Sequence, residues 1–284
     1  MKKKVDVSIL TTNYNNGKFL SDFFDSIINS TVSAKEIIFV DDGSTDNSIE
    51  IVKEKLLLLD LYIIDFVENK GRAAALNAGK SKCRSKYILI IDPDDILLPE
   101  RIETQYNFME NNPDVDILGG NVIYFNSKTG QKLNISNFPT SNSDIYKTFY
   151  RGENGVLQPT VICKTEVIKK YDYKQIVPGQ DYELFARLAK DGYKFAGLKE
   201  PLNRMRIHTN SVVSNVKLES FTNLFFYRDK IFGTKTSKIK IRFYYWHIKY
   251  YRKSMFAKKP ISKYFNLFLS ILAYPQKIIK RLLK

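Results

Sequence analysis

Apolar residues in the first hundred positions fall into short runs, each ended by a polar cluster and followed by a helix-period segment. Residues 5–10 form the first run, and Thr12-Asn13-Tyr14-Asn15-Asn16-Gly17 reads as the turn after it. Phe19, Leu20, Phe23, Phe24, Ile27 and Ile28 then recur at the spacing of one helix face. A second run, 36–40, stops at Asp41-Asp42-Gly43-Ser44-Thr45-Asp46, where Ser44 or Asp46 can cap a helix through Ile49, Ile51 and Val52. Residues 61–67 make a third strand, 71–79 open an alanine-rich helix, and 87–91 make a fourth strand ending at Asp92-Pro93-Asp94-Asp95. Strands alternating with helices predict an α/β domain with a largely parallel sheet. Ligands of such sheets bind at the carboxyl ends of the strands, which is where the Asn, Asp and Gly residues are concentrated. From 121 to 177 the pattern loosens, with strand-like runs at 122–125 and 161–162, and a helix follows at 181–190, ended by Gly192. No internal repeat is present.

The chain has 284 residues, 44% of them hydrophobic and 26% charged, which excludes a disordered chain and supplies a domain-sized core. Cys83 and Cys163 lie far apart with no CxxC spacing, so neither a disulfide scaffold nor a structural zinc site is expected, and a reducing compartment fits. The net charge of +15 changes the picture through its placement. Residues 215–284 hold 17 Lys and Arg against Glu219 and Asp229, while the preceding 214 residues hold 28 bases and 28 acids. A neutral body, 1–214, therefore carries a basic tail, 215–284. The apolar run after the opening lysines is shorter than the about 7–15 residues of a signal-peptide core. No stretch reaches the ~20 apolar residues of a membrane span; the nearest, 264–274, is followed by Pro275.

Three polar clusters carry candidate chemistry. Asp92, Asp94 and Asp95 repel one another unless a cation or donors compensate, and a hard divalent ion with oxygen ligands suits them; an acidic turn before the helix near Pro99 is the plainer alternative. Asp41 and Asp42 at a strand end can accept from a base edge or ribose, or can simply make a turn with Gly43. Asp181 opens a helix, either as a cap or as a general base aimed at a substrate hydroxyl.

In this order and spacing, the stretches VSILTTNYNNGKFL, EIIFVDDGSTDNS, NKGRAAALNAG, YILIIDPDD, GQDYELFARLAKDGY and RMRIHTNS resemble the family 2 glycosyltransferases, over residues 5 to about 214. The resemblance implies a GT-A fold, a Rossmann-like α/β/α sandwich with a mostly parallel sheet, and inverting transfer of a sugar from a nucleotide sugar, usually a UDP-sugar. It implies that Thr12 and Tyr14 flank the base, that Asp41 binds uracil, and that Arg72 lies near base and ribose. Asp92 and Asp94 fall on the family's DxD positions; Asp94 would touch ribose or metal, and Asp92 and Asp95 would serve a divalent metal, Mn²⁺ or Mg²⁺. Asp181 would be the base, Arg206 would face the diphosphate, and His208 would ligate the metal or donate to a phosphate. Gln180 stands where the family often has Glu, and the QxxRW motif of processive synthases is missing, which favours single addition. A sugar-phosphate nucleotidyltransferase and a non-catalytic glycan- or nucleotide-binding module are the alternatives.

The tail mixes cations with aromatics. At about 100° per residue, Ile241, Tyr244, Ile248, Tyr251 and Met255 form one apolar stripe, with Arg242, Lys249 and Lys253 beside it and Trp246 at the boundary. Cations near anionic lipid gain roughly 1 kcal/mol each, so peripheral attachment to the cytoplasmic face of a membrane, beside a lipid-linked or surface-glycan acceptor, is expected. Packing of the aromatics on protein is the alternative; no nucleic-acid partner is expected, since no such module is visible.

Overall fold

Parity along the first strands decides the layers. The computed structural model describes residues 2–55, 59–176, 179–207, 217–255, 257 and 259–275. The chain divides into two units, Met1–Thr209 and Asn210–Lys284. The first unit runs β1 (Lys4–Asn13), α1 (Gly17–Ile28), β2 (Ser33–Asp41), α2 (Ser48–Lys55), β3 (Leu61–Asp65), α3 (Arg72–Lys82) and β4 (Tyr87–Ile90). It continues through β5 (Ile96–Leu97), α4 (Arg101–Asn111), β6 (Ile117–Asn126), β7 (Lys132–Ile135) and α5 (Asn142–Tyr150). A 3₁₀ turn (Gln158–Thr160), β8 (Ile162–Lys164), α6 (Thr165–Ile168), α7 (Gln180–Lys190) and β9 (Phe195–Ile207) complete it. Side chains on a strand alternate between faces. Val5, Val7 and Ile9 of β1, with Ile37, Phe39, Tyr87 and Leu89 of its neighbours, pack against Leu20, Phe23, Phe24 and Ile27 of α1 and Ile102 and Met109 of α4. Leu10, Ile38 and Val40 turn the other way, and Gly79 of α3 comes so close that an added Cβ would lie 2.3 Å from Leu10 and 2.8 Å from Val40. Helices thus cover both faces of one sheet.

The strand order is β3-β2-β1-β4-β8-β6-β9-β5, with β7 beside β6. β1 is parallel to β2 and β4, β2 to β3, and β6 to β9. The short β8, β7 and β5 pair antiparallel. The α/β expectation holds, with local corrections. β1 extends to Asn13 because Thr12 and Asn13 pair with Val40 and Asp41, a partner that local pattern does not show. The reversal falls instead on Asn15, at φ 54°. The loose stretch after 121 contains α5, whose Ser141 cap accepts from the Asp144 N–H.

The second unit contains α8 (Leu218–Phe232), ended by left-handed Gly233, then α9 (Lys238–Met255) and α10 (Pro260–Ala273), with proline in its first turn. Phe225, Ile241 and Tyr244 form its small core, lined by Leu218, Phe221, Leu224, Ile248 and Tyr274. The Ile241–Tyr244–Ile248 stripe is therefore internal packing rather than a free face, a correction to the reading from α9 alone. Among the described residues no helix is long and apolar enough to cross a membrane.

Candidate active site

The first wall of the site is built where β1 and β2 end side by side. Asp41 is fully buried and its carboxylate accepts three hydrogen bonds from protein donors. Its Oδ1 accepts from Asn13 Nδ2 at 2.7 Å and Ser44 Oγ at 2.8 Å, and its Oδ2 from the Ser44 N–H at 2.7 Å. Asp42 accepts the Lys70 N–H at 2.7 Å. These bonds bring the 68–70 loop so close to Gly43, at φ +72°, that a Cβ would stand 2.6 Å from the Glu68 carbonyl carbon. Asp46, not Ser44, serves the following helix. Its carboxylate accepts the Ser48 N–H of α2 and also the Gly17 N–H of α1 at 2.9 Å. Burial raises this carboxyl, but the bonds from Ser48 and Gly17 outweigh burial and hold it below its usual range. Thr12 is half-buried and Tyr14 is 48% exposed, leaving an aromatic face open above the strand ends.

The second wall is the acidic turn after β4. Arg72, the first residue of α3, forms an ion pair with Asp92. Burial and the Asp94 and Asp181 charges raise the Asp92 carboxyl against the pull of Arg72. Asp95 is buried, and burial followed by Asp94 and Asp92 pushes it well above the ordinary carboxylate range. Its Oδ1 accepts the Arg206 N–H at 3.0 Å, and its buried Oδ2 has no hydrogen-bond partner. An orphaned carboxylate oxygen beside two other acids fits a cation. Still, among the described residues no three His, Cys, Asp or Glu side chains converge as a ready-made metal cage. His208 lies outside the described residues.

Behind the turn, the fully buried Arg101 donates to Gln105 Oε1 at 2.9 Å, Asn203 Oδ1 at 2.6 Å and the Ile90 carbonyl at 3.0 Å. Burial draws its guanidinium down to about 9, with Asp95 and Asp92 opposing, so it stays charged at neutral pH. Arg206 has a task the sequence did not suggest. Its guanidinium lies 4.7 Å from the Phe19 ring centroid and 4.8 Å from that of Phe125. Nε donates to the Asp94 carbonyl at 2.9 Å and Nη2 to Asp22 at 2.8 Å. In this structure it braces the acidic turn.

Asp181 sits in the first turn of α7, half-buried, where the helix dipole favours its anion. Its Oδ2 accepts from Asn154 Nδ2 at 3.2 Å, and its charge acts on both Arg72 and Asp92. Residues 171–176 strap this helix to α3. Asn77 exchanges two 2.9 Å bonds with the Tyr173 backbone, and buried Lys80 meets Asp172 at 2.9 Å. Gln175 Nε2 lies over Gly71, at φ +88°, and donates to the Lys70 carbonyl at 3.0 Å. Glu183 is held by Arg187 at 2.9 Å and by Lys174. The structure thus brings Arg72, Asp92, Asp94, Asp95 and Asp181 to one edge. It adds Asn154, Asp22, Arg101 and the Asn77–Lys80 strap, whose residues carry no signal in a single sequence because their partners are remote.

Acids at the C-terminal ends of parallel strands, with a helix-terminal carboxylate beside them, mark the ligand-binding edge of an open α/β sheet. The pattern of Glycosyl transferase family 2 matches residues 8–177, and the chain belongs to this family. The amylovoran biosynthesis glycosyltransferase AmsE of Erwinia amylovora is 34% identical over 209 residues, covering 72% of this chain and 77% of that protein. Staphylococcus aureus TarS 1–349 in complex with UDP-GlcNAc superposes with a TM-score of 0.65 at 17% identity, covering 98% of this chain and 83% of that one. The mannosyltransferase PcManGT of Pyrobaculum calidifontis, in complex with GDP-Man and Mn²⁺, has a TM-score of 0.60 at 14% identity, covering 96% and 76% of the two chains. The fold is GT-A and the protein is a glycosyltransferase, which sets aside the nucleotidyltransferase and binding-module alternatives.

Proposed function

We propose that the protein moves a sugar from a nucleotide sugar, most simply a UDP-sugar, to an acceptor hydroxyl of a lipid-linked or surface glycan, with inversion. The observation that carries this reading is the joint placement of Asp181 and the Arg72–Asp92 pair at one edge of the sheet. TarS binds UDP-GlcNAc and PcManGT binds GDP-Man on the same fold, which supports a nucleotide-sugar donor. Thr12 and Tyr14 flank the base, and Asp41, held by Asn13 and Ser44, binds uracil. Arg72 and Asp94 border the ribose. Asp95, with Asp92, would hold a divalent ion, and His208 is a further candidate ligand. When bound, such an ion supplies Lewis-acid stabilisation of the departing diphosphate. Asp181, oriented by Asn154, takes the proton of the acceptor hydroxyl as that oxygen attacks the anomeric carbon from the face opposite the diphosphate. The carbon–oxygen bond to phosphate breaks as the new one forms, so configuration inverts. Arg206 acts at one remove, by fixing the turn that carries Asp94 and Asp95.

The basic second unit attaches the enzyme to an anionic membrane surface on its cytoplasmic side, where a lipid-linked acceptor lies. Calorimetric titration with UDP, GDP, dTDP and CMP, with and without Mn²⁺, tests the donor assignment. Metal-dependent preference for UDP is expected, preference for another nucleotide moves the donor class, and no binding to any of them refutes the reading. Asp181→Asn should abolish transfer while nucleotide binding is retained; unchanged turnover would remove Asp181 from the base role.

A further inference from the structure

A cavity of about 600 Å³ lies beside the acidic turn, lined by α1, by β5 and the residues after it, and by the ends of β6 and β9. That volume falls within the range of small-molecule sites, about 300–1,000 Å³. Its charged lining residues are Asp22 and Asp25 of α1 and Arg204 and Arg206 of β9. Strand alternation puts both arginines on one face of β9. Their guanidiniums both reach the Phe125 ring of β6, at 4.6 and 4.8 Å from its centroid. Arg206 is already committed, donating to Asp22 at 2.8 Å and to the Asp94 carbonyl at 2.9 Å. Asp25 meets Lys55 of α2 at 3.3 Å. Each acid of the lining thus has its cation. Arg204 has no acid. Among the described residues its guanidinium makes no ion pair and no hydrogen bond, although it is half-buried and held against the Phe125 ring.

We propose that this cavity is an anion site, in which Arg204 binds a carboxylate or phosphate group through two parallel N–H···O bonds. A guanidinium carries its donors in a rigid fork that matches two oxygens of such a group. Contact with Phe125 holds the fork in advance, so little side-chain freedom is lost when the anion arrives. Asn29 and Ser127 line the same cavity and add an amide and a hydroxyl donor. The charge balance selects an anion over a neutral ligand, because Asp22 and Asp25 are paired and Arg204 supplies the unmatched charge. The site is distinct from the nucleotide edge, where the cation is Arg72, paired with Asp92. The two meet only at the acidic turn: Ile96 of the lining follows Asp95 directly, and Arg206 holds both Asp22 and the Asp94 carbonyl. An acidic sugar of a glycan and a phosphate ester both present this chemistry.

Full-length, metal-free protein at physiological salt is titrated with inorganic phosphate, glucuronate and glucose. Phosphorus NMR line broadening follows phosphate, and saturation transfer follows the two sugars. Phosphate or glucuronate should bind, and glucose should not. Arg204→Gln should weaken anion binding by about tenfold or more. Arg204→Lys keeps the charge but loses the fork, so it should weaken binding by less. Circular dichroism and urea unfolding report whether the variants are folded; if Arg204→Gln is not, Arg204→Lys carries the comparison. Arg72→Gln locates the anion and should bind it as the parent does. Binding lost in Arg72→Gln and kept in Arg204→Gln would put the anion at the nucleotide edge and overturn the proposal, whether or not a nucleotide sugar binds there. Tighter binding of glucuronate assigns an acidic sugar, and tighter binding of phosphate assigns a phosphate ester; either supports the site. Equal binding by the parent and both Arg204 variants, as when the basic second unit alone collects anions, refutes it. So does a parent protein that binds neither anion.

Discussion

Replacing Arg206 by Ala separates two roles that motif and geometry assign differently. The side chain is 7% exposed and is lost together with four contacts. Its ion pair with Asp22 counts for little, because Asp22 is 59% exposed and screened, so about 0.5 kcal/mol is a fair share. The bond to the Asp94 carbonyl, at 2.9 Å, contributes about 1 kcal/mol. The two ring contacts, on Phe19 and Phe125 at 4.7 and 4.8 Å, add about 0.5–1 kcal/mol each. Arg206→Ala should therefore cost about 3 kcal/mol in urea unfolding and weaken divalent-ion-dependent nucleotide binding through the loosened turn. A double-mutant cycle with Asp22→Asn should return a coupling below about 1 kcal/mol. Unfolding free energy measured beside calorimetric nucleotide binding decides the matter. Unchanged stability with loss of UDP affinity would refute the bracing role and place the guanidinium on the diphosphate.

Other consequences are direct. Asn154→Ala removes one bond to a carboxylate, worth about 1.5 kcal/mol, so kcat should fall about tenfold with donor KM unchanged; a shift confined to KM would contradict the role. Gly71→Ala forces a side chain onto φ +88° and against Gln175, and should disturb the Arg72 end of α3, seen as lost stability and lost nucleotide binding together. Asp46→Asn should destabilise at neutral pH by about 1 kcal/mol. The Asp46 carboxyl is held below its usual value, so its contribution is present above that value and lost as pH falls through the folded one. The parent protein and Asp46→Asn should thus converge in stability in acid unfolding. Cys83, pushed up to about 12 by burial, and Cys163, raised further by the same cause, should resist alkylation in native protein at mild alkaline pH and react in denaturant.

The order of strands and helices was legible because the pattern is local: a short continuous apolar run, a polar or acidic turn, then one helical face. The basic tail and the acids of the family motifs were legible for the same reason, as residue types at fixed spacing. What each polar side chain does was decided by partners far along the chain. Asp41 is closed by Asn13, 28 residues away, and Arg206 is drawn to Asp22, 184 residues away. Asn154 reaches Asp181 across 27 residues, and Lys80 reaches Asp172 across 92. Likewise, periodicity on α9 identified an apolar stripe but not its cover, which proved to be α8 and Tyr274. A helical or alternating pattern encodes which side is buried; only tertiary packing says against what, and therefore which faces and which charges remain for chemistry.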